Sequence, residues 1–225
     1  MTTPPKAILF GAIGTLVETS DMQRRSFNAA FEDAGLDWEW GREDYARLLR
    51  TPGGARRIED YARDKGQEVD AALIHEAKVA HFRARALAEG LELRPGVEAV
   101  VACARAEGVA LGFATSTGAE TVDLLFEGLG EALREEAFAF IGNRGLVAHS
   151  KPDPEIYQVA LSQLGLSPDE AIAIEDTPES AEAALAAGVA CVGFVGAEAI
   201  GRRFPAEVRV VERLEPAFFG LGRAG

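Results

Sequence analysis

Short, nearly continuous apolar runs recur along the chain at Ala7–Phe10, Ala110–Ala114, Ala137–Ile141, Ala171–Ile174 and Ala190–Val195. Each is about 4–6 residues long, the length and texture of parallel strands buried on both faces. Between the later runs the period changes to that of a helix. Tyr157, Ala160, Leu161 and Leu164 follow i, i+3, i+4, i+7, and so do Ser180, Ala183, Ala184 and Ala187, after which Gly188 supplies a stop. Strand–helix alternation of this kind predicts an α/β fold, a doubly wound parallel sheet. About a hundred residues separate the first two runs, far more than one crossover needs. Most of that interval reads as helix: Ser20 to Ala34, opened by a Ser20-x-x-Gln23 capping box and closed by Gly35, then Arg42–Leu49, Ala55–Lys65 and Asp70–Glu89. Leu73, Ala77, Ala80, Ala84 and Leu87 form the apolar stripe expected to pack the last of these. The expected division is therefore an α/β core of residues 1–16 and 92–225 and an inserted helical cap of residues 17–91. An insert after the first strand lies above the carboxyl ends of the sheet and would act as a lid. The tail after Leu214, with three glycines, is expected to fray.

Charge narrows the range of partners. The formal net charge is −13, from 23 basic and 36 acidic side chains. That argues against a general nucleic-acid or anionic-membrane surface, so an anionic ligand would need a local positive pocket. The two cysteines, Cys103 and Cys191, have no metal-ligand spacing and each sits in an apolar run. Buried thiols in a reducing cytoplasm are expected. Met1 to Lys6 lacks the basic and apolar regions of a secretory signal, and no apolar run approaches a membrane span.

Four segments carry candidate chemistry, each at the end of an expected strand. The first is Phe10-Gly11-Ala12-Ile13-Gly14-Thr15-Leu16. The second is Phe113-Ala114-Thr115-Ser116-Thr117, whose Thr117-x-x-Glu120 can cap the next helix and present an anion site. The third is Ser150-Lys151-Pro152-Asp153-Pro154, with Pro154 suited to a first helical position. The fourth is Ile174-Glu175-Asp176-Thr177, two carboxylates at a strand end. Singly these are a cap, a surface lysine and a helix start. In this order they resemble the motifs of the haloacid dehalogenase-like hydrolase superfamily. Arg24-Arg25-Ser26-Phe27-Asn28, Gly35-Leu36-Asp37-Trp38 and Gly53-Gly54-x-x-Arg57-Ile58 resemble its CbbY-like subgroup of sugar-phosphate phosphatases and phosphomutase relatives.

The resemblance implies a nucleophilic aspartate at Gly11 and an acid/base aspartate at Ile13, and both are absent. Family members attack phosphorus with the first and protonate the leaving oxygen with the second. Their Mg²⁺ is held by the first aspartate, the carbonyl of the second and a carboxylate of the fourth motif. Here that set shrinks to the Ile13 carbonyl and Asp176, with Glu175 beside it. Thr115, Ser116 and Lys151 remain to bind phosphate, and Arg57 matches the insert's Gly-Gly-Lys-x-Arg loop, whose lysine is replaced by Ala55 with Arg56 adjacent. Losing a nucleophile costs roughly 10⁶ in rate in a well-studied hydrolase. The expected function is a catalytically impaired relative that binds a sugar phosphate, alone, as a homodimer or as the regulatory partner of an active homologue. The alternatives are an active Mg²⁺-dependent phosphatase using another group, with Glu18, Asp21, Glu175 and Asp176 as available carboxylates, or a fold kept for interaction alone.

Overall fold

The computed structural model describes residues 4–49 and 53–222. Met1–Thr3, part of the segment read for a targeting signal, lie outside them. The chain divides into two compact units, Met1–Glu18 with Leu91–Gly225, and Thr19–Gly90.

The first unit is built on a six-stranded parallel sheet. Its strands are β1 (Ala7–Phe10), β2 (Ala110–Phe113), β3 (Phe140–Ile141), β4 (Ala171–Glu175), β5 (Ala190–Phe194) and β6 (Arg209–Val211), in the order β3-β2-β1-β4-β5-β6. The sheet's helices are α5 (Val97–Ala106), α6 (Ala119–Leu129), α7 (Glu155–Leu164) and α8 (Pro178–Ala186), numbered after four in the second unit. Alternation along β1 shows why every position there is apolar. Ile8 and Phe10 pack with Val97, Val100, Val122 and Leu125 of α5 and α6, while Ala7 and Leu9 pack with Ile156, Tyr157 and Ala160 of α7 and Ala181 and Ala184 of α8. With both faces covered, no position of this strand meets water.

The second unit contains α1 (Ser20–Asp33), α2 (Arg42–Leu48), α3 (Gly54–Lys65) and α4 (Ala71–Glu89). Its core is aromatic: Trp40 lies 4.8 Å from Phe27 and 4.8 Å from Phe31, with Tyr45 and Ile58 buried around them. Among the described residues no helix is long and apolar enough to cross a membrane.

Several expectations need correction. Helix α1 has Thr19, not Ser20, at its N-cap; Gln23 Nε2 donates to Thr19 Oγ1 at 2.9 Å, so the Ser20–Gln23 capping box does not form. Gly118 caps α6 in place of Thr117, and Pro154 is the N-cap of α7 and not its first helical residue. The third strand is only two residues long, because Glu135–Ala137 turns as a 3₁₀-helix. Strand β6 and helix α5 were not anticipated. The tail does not fray within the described residues: Leu214, Phe219 and Leu221 are buried in the sheet's core. On α4 the buried face is Ala71, Ile74, Lys78, Phe82 and Ala86, and the expected stripe faces outward.

One side chain ties the strand ends together. Arg94 donates to the carbonyls of Gly14, Phe194 (2.9 Å) and Val195 (2.7 Å), with its guanidinium 3.5 Å over the Phe194 ring. Burial holds its pKa below the usual arginine value. Arg94→Met keeps the stem but strands three carbonyls, and should cost about 2 kcal/mol in urea unfolding. Arg94→Lys should recover little of this, because an ammonium cannot span the three acceptors as a planar fork does.

Candidate functional site

Register brings three of the four motifs side by side. Phe10 lies opposite Phe113 of β2 on one side and Ile174 of β4 on the other. The residues that follow, Gly11, Ala114 and Glu175, therefore share the carboxyl edge of the sheet. The chain leaves β1 for β2 on one side and later fills β4 on the other, so this edge is the topological switch point where open α/β sheets bind ligands.

The turn after β1 is tight. The amides of Thr15 (3.1 Å) and Leu16 (2.8 Å) both donate to the Ala12 carbonyl, and Gly14 N donates to Val17 O at 2.7 Å. Gly14 has φ +84, a left-handed conformation, and any Cβ there would collide with the Asp176 carboxyl. Gly11 is different. Its amide is held by Ile174 O at 3.0 Å, but the space a Cβ would take is occupied: it would lie 2.6 Å from Thr15 Oγ1 and 2.7 Å from Glu175 Oε2.

The fourth motif's two acids have separate surroundings. Glu175, 1 % exposed, accepts from Lys151 Nζ and from the Tyr157 hydroxyl, both as short contacts. Lys151 Nζ also donates to Ala114 O at 2.9 Å and sits 5.1 Å from the Tyr157 ring centroid. Asp176 is also buried and accepts from Thr15 Oγ1 at 3.3 Å. Burial, and then the charge of Glu175, push its carboxyl up to about 8. Burial and Glu175 likewise hold the Tyr157 phenol above its ordinary range. Lys151 and Glu175 form an ion pair that is itself buried.

The other hydroxyls of the motifs gather at the same edge. Ser116 Oγ accepts from Lys151 N at 3.3 Å, and Thr115 Oγ1 from Thr117 N at 3.0 Å. Ile13 is half-buried against the sheet's core. Of the remaining carboxylates, Glu18 accepts from Ala197 N at 2.8 Å, and Asp21 is engaged by Arg24, Arg25 and Arg42.

In the second unit, Arg57 and Lys78 are buried cations, 7 % and 6 % exposed. Arg57 Nε donates to Leu48 O at 2.9 Å, and its guanidinium lies 5.7 Å from the Tyr45 ring centroid. Lys78 Nζ donates to Gln23 Oε1 at 2.9 Å and lies 4.9 Å from the Phe27 ring centroid. Burial, and then Arg57, bring the Lys78 ammonium down to about 8, and burial and these two cations lower His75 as well. Arg56 is exposed, 3.9 Å from Asp60.

Sequence reasoning missed Arg94, Tyr157 and Lys78. Tyr157 was one apolar position of a helical stripe, and nothing in the stripe shows that its hydroxyl meets Glu175. Lys78 carried a signal that was passed over: it is spaced i+4 from Ile74 and i−4 from Phe82.

Comparison with known proteins agrees with the motif order. The family model described as haloacid dehalogenase-like hydrolase matches residues 5–188. The CbbY protein of Cereibacter sphaeroides is 40% identical over 191 residues, covering 83% of this chain and 83% of its own. The phosphoglycolate phosphatase of Rhodospirillum rubrum is 29% identical over 197 residues, covering 84% of this chain and 78% of its own. Among solved structures, a CbbY variant from Rhodobacter sphaeroides in complex with xylulose-1,5-bisphosphate superposes with a TM-score of 0.78 at 36% identity, covering 93% of this chain and 94% of that one.

Proposed function

From the premise that the chain belongs to the haloacid dehalogenase-like hydrolase family, in its CbbY-like subgroup, we propose that it binds a sugar phosphate without hydrolysing it at an appreciable rate. The observation that carries this reading is the carboxyl edge itself. Gly11 stands between β2 and β4 with no side chain, and Glu175 and Thr15 occupy the space a nucleophile there would need. Ile13, the acid/base position, has no proton to give.

Phosphate binding is served by what remains. Lys151 gives one N–H to Ala114 O and one to Glu175, which leaves a third for a ligand oxygen. Ser116 and Thr115 add hydroxyls beside it. A buried cation of this kind suits an anionic ligand. That one relative above is a phosphoglycolate phosphatase, and that the similar CbbY structure holds xylulose-1,5-bisphosphate, supports a sugar phosphate as the ligand.

The donors do not suit a resident Mg²⁺, which takes near-octahedral oxygen and usually one or two carboxylates. Glu175 is committed to Lys151 and Tyr157, which leaves Asp176 as the one carboxylate beside it, and Gly11 offers nothing. Lys151 with Glu175 is already a balanced pair, so the site needs no further cation. Two free cysteines fit a cytoplasmic setting for such a protein.

The alternative, an active phosphatase, rests on one observation: a carboxyl near 8 at Asp176 is tuned for a general base. One experiment separates the two. A panel of pentose and hexose phosphates is scored for phosphate release with Mg²⁺ and for thermal stabilisation of the chain. We expect no release, and stabilisation of about 2.7 kcal/mol at a ligand concentration 100 times its Kd. Lys151→Gln should reduce that affinity at least tenfold. Stabilisation by no phosphorylated compound overturns the binding reading. Release that Asp176→Asn abolishes establishes the alternative.

A further inference from the structure

The loop that carries Lys151 also brings three metal-ligating side chains together. One ligand atom each from His149, Asp153 and Glu155 lies within 4.8 Å of the others, and among the described residues no other three His, Cys, Asp or Glu side chains converge in this way. All three belong to the first unit. They share no residue with the strand-end donors, Asp176 and the Ile13 carbonyl. Lys151 stands between them in sequence but does not neutralise them. Its ammonium is turned inward to Ala114 O and Glu175, and its side chain is 7% exposed where that of His149 is 72% exposed.

Local folding preorganises the three. Asp153 Oδ1 accepts from Glu155 N at 3.0 Å as the chain turns into α7, which leaves Oδ2 for another bond. Glu155, the first residue of α7, reaches back over the loop. Its Oε1 accepts from Ala148 N at 3.0 Å and its Oε2 from His149 N at 2.8 Å. These amides hold the Glu155 carboxyl below its ordinary range, so it is ionised at neutral pH. They also fix its orientation while leaving each oxygen a further lone pair, as hydrogen bonds behind a metal ligand do. His149 Nδ1 lies 3.3 Å from Glu155 Oε2. Two ligand atoms bound to one tetrahedral Zn²⁺ at about 2.0–2.1 Å are themselves about 3.3 Å apart, so this pair can share an ion without rearrangement. Two carboxylates balance a divalent ion and outweigh the roughly half positive charge at the start of α7. The imidazole decides which ion: Mg²⁺ and Ca²⁺ take oxygen, whereas Zn²⁺ and its first-row neighbours accept nitrogen.

We propose that His149, Asp153 and Glu155 form a binding site for a divalent transition-metal ion of the Zn²⁺ class, completed by water, that clamps the loop on either side of Lys151. Three protein donors with water in the remaining position is the open form of a zinc site. With one donor fewer than a closed structural site, its Kd is expected on the order of 10 µM. An ion there ties His149 to Asp153 across Lys151. The site is independent of what the strand ends bind.

Isothermal titration of the untagged full chain with Zn²⁺, in a buffer that does not chelate it, tests this. One equivalent should bind, and Mg²⁺ in about 100-fold excess should not displace it. His149→Ala and Asp153→Asn should each weaken binding at least tenfold. Neither threatens the fold: the His149 side chain is exposed, and an asparagine at 153 keeps the acceptor for Glu155 N. Thermal unfolding of both variants checks this. Nitrogen NMR of the imidazoles locates the ion, because the chain has only three histidines, His75, His81 and His149. Zn²⁺ should move the His149 resonances and leave the other two in place. No binding tighter than about 1 mM overturns the proposal. So does binding that either substitution leaves unchanged, or binding that moves His75 or His81 in place of His149.

Discussion

The double variant Gly11→Asp/Ile13→Asp should release phosphate from sugar phosphates at least about 10³-fold faster than the native chain, and only with Mg²⁺ present. The magnitude follows from what nucleophiles supply. A hydrolase stripped of its catalytic group falls by roughly 10⁶, and binding groups alone account for about 10³–10⁴ over water. For phosphate monoesters the uncatalysed reference is so slow that the binding contribution by itself is undetectable. The backbone at position 11 is already where an attacking carboxylate would be needed, held by Ile174 O at the switch point. The obstacles are Thr15 Oγ1 and Glu175 Oε2, and both side chains must shift to admit the carboxylate. The new carboxylate at 11 would also complete a metal donor set that now offers only Asp176 and the Ile13 carbonyl, hence the Mg²⁺ requirement and the expected loss with a chelator. Ile13→Asp gives up part of a half-buried apolar contact and should cost about 1 kcal/mol in stability. Gly11→Asp alone should retain less of the gain, since the leaving oxygen then departs unprotonated. A folded, ligand-binding double variant without turnover would mean that the edge has drifted beyond the two substitutions. A native chain equally active would mean that Gly11 and Ile13 are not the deficit.

How much of this was legible depended on whether a residue's neighbours are local. Strands β1 and β4 were readable because burial on both faces leaves an unbroken apolar run. Strand β6 was not: it is three residues at the sheet's edge, and Arg209 and Val210 face solvent. The four motifs were legible as an ordered set, yet the sequence could not show that Glu175 would fill the space beside Gly11. That takes the register of β1 with β4, two strands more than 160 residues apart. The capping error at Ser20 is smaller in kind: Thr19 and Ser20 are both good cap residues, and which one ends the extended chain is decided by what Gln23 reaches. The error on α4 is more instructive. Two apolar stripes compete there. The one through Leu73 and Leu87 is free of charges, while the one through Ile74 and Phe82 is interrupted by Lys78. Pattern reading prefers the uninterrupted stripe, and the fold uses the other.

That lysine should govern how stability responds to alkali. In the fold the Lys78 ammonium titrates at about 8, against an ordinary 10.5, with burial the main cause and Arg57 the next. Between those values the unfolded chain holds the proton and the folded chain has released it, so stability rises with pH across this window. Below about pH 8 the whole cost of a buried charge is present; above about 10.5 none is. The displacement corresponds to about 3 kcal/mol. Urea unfolding of the native chain and of Lys78→Met, compared from pH 7 to pH 10.5, should show the native chain closing that gap while the difference from other titrating groups cancels. The variant should be the more stable at pH 7 by less than the full amount, because Gln23 Oε1 loses its donor. A pH profile identical in the two proteins would show that Lys78 carries its charge at no cost.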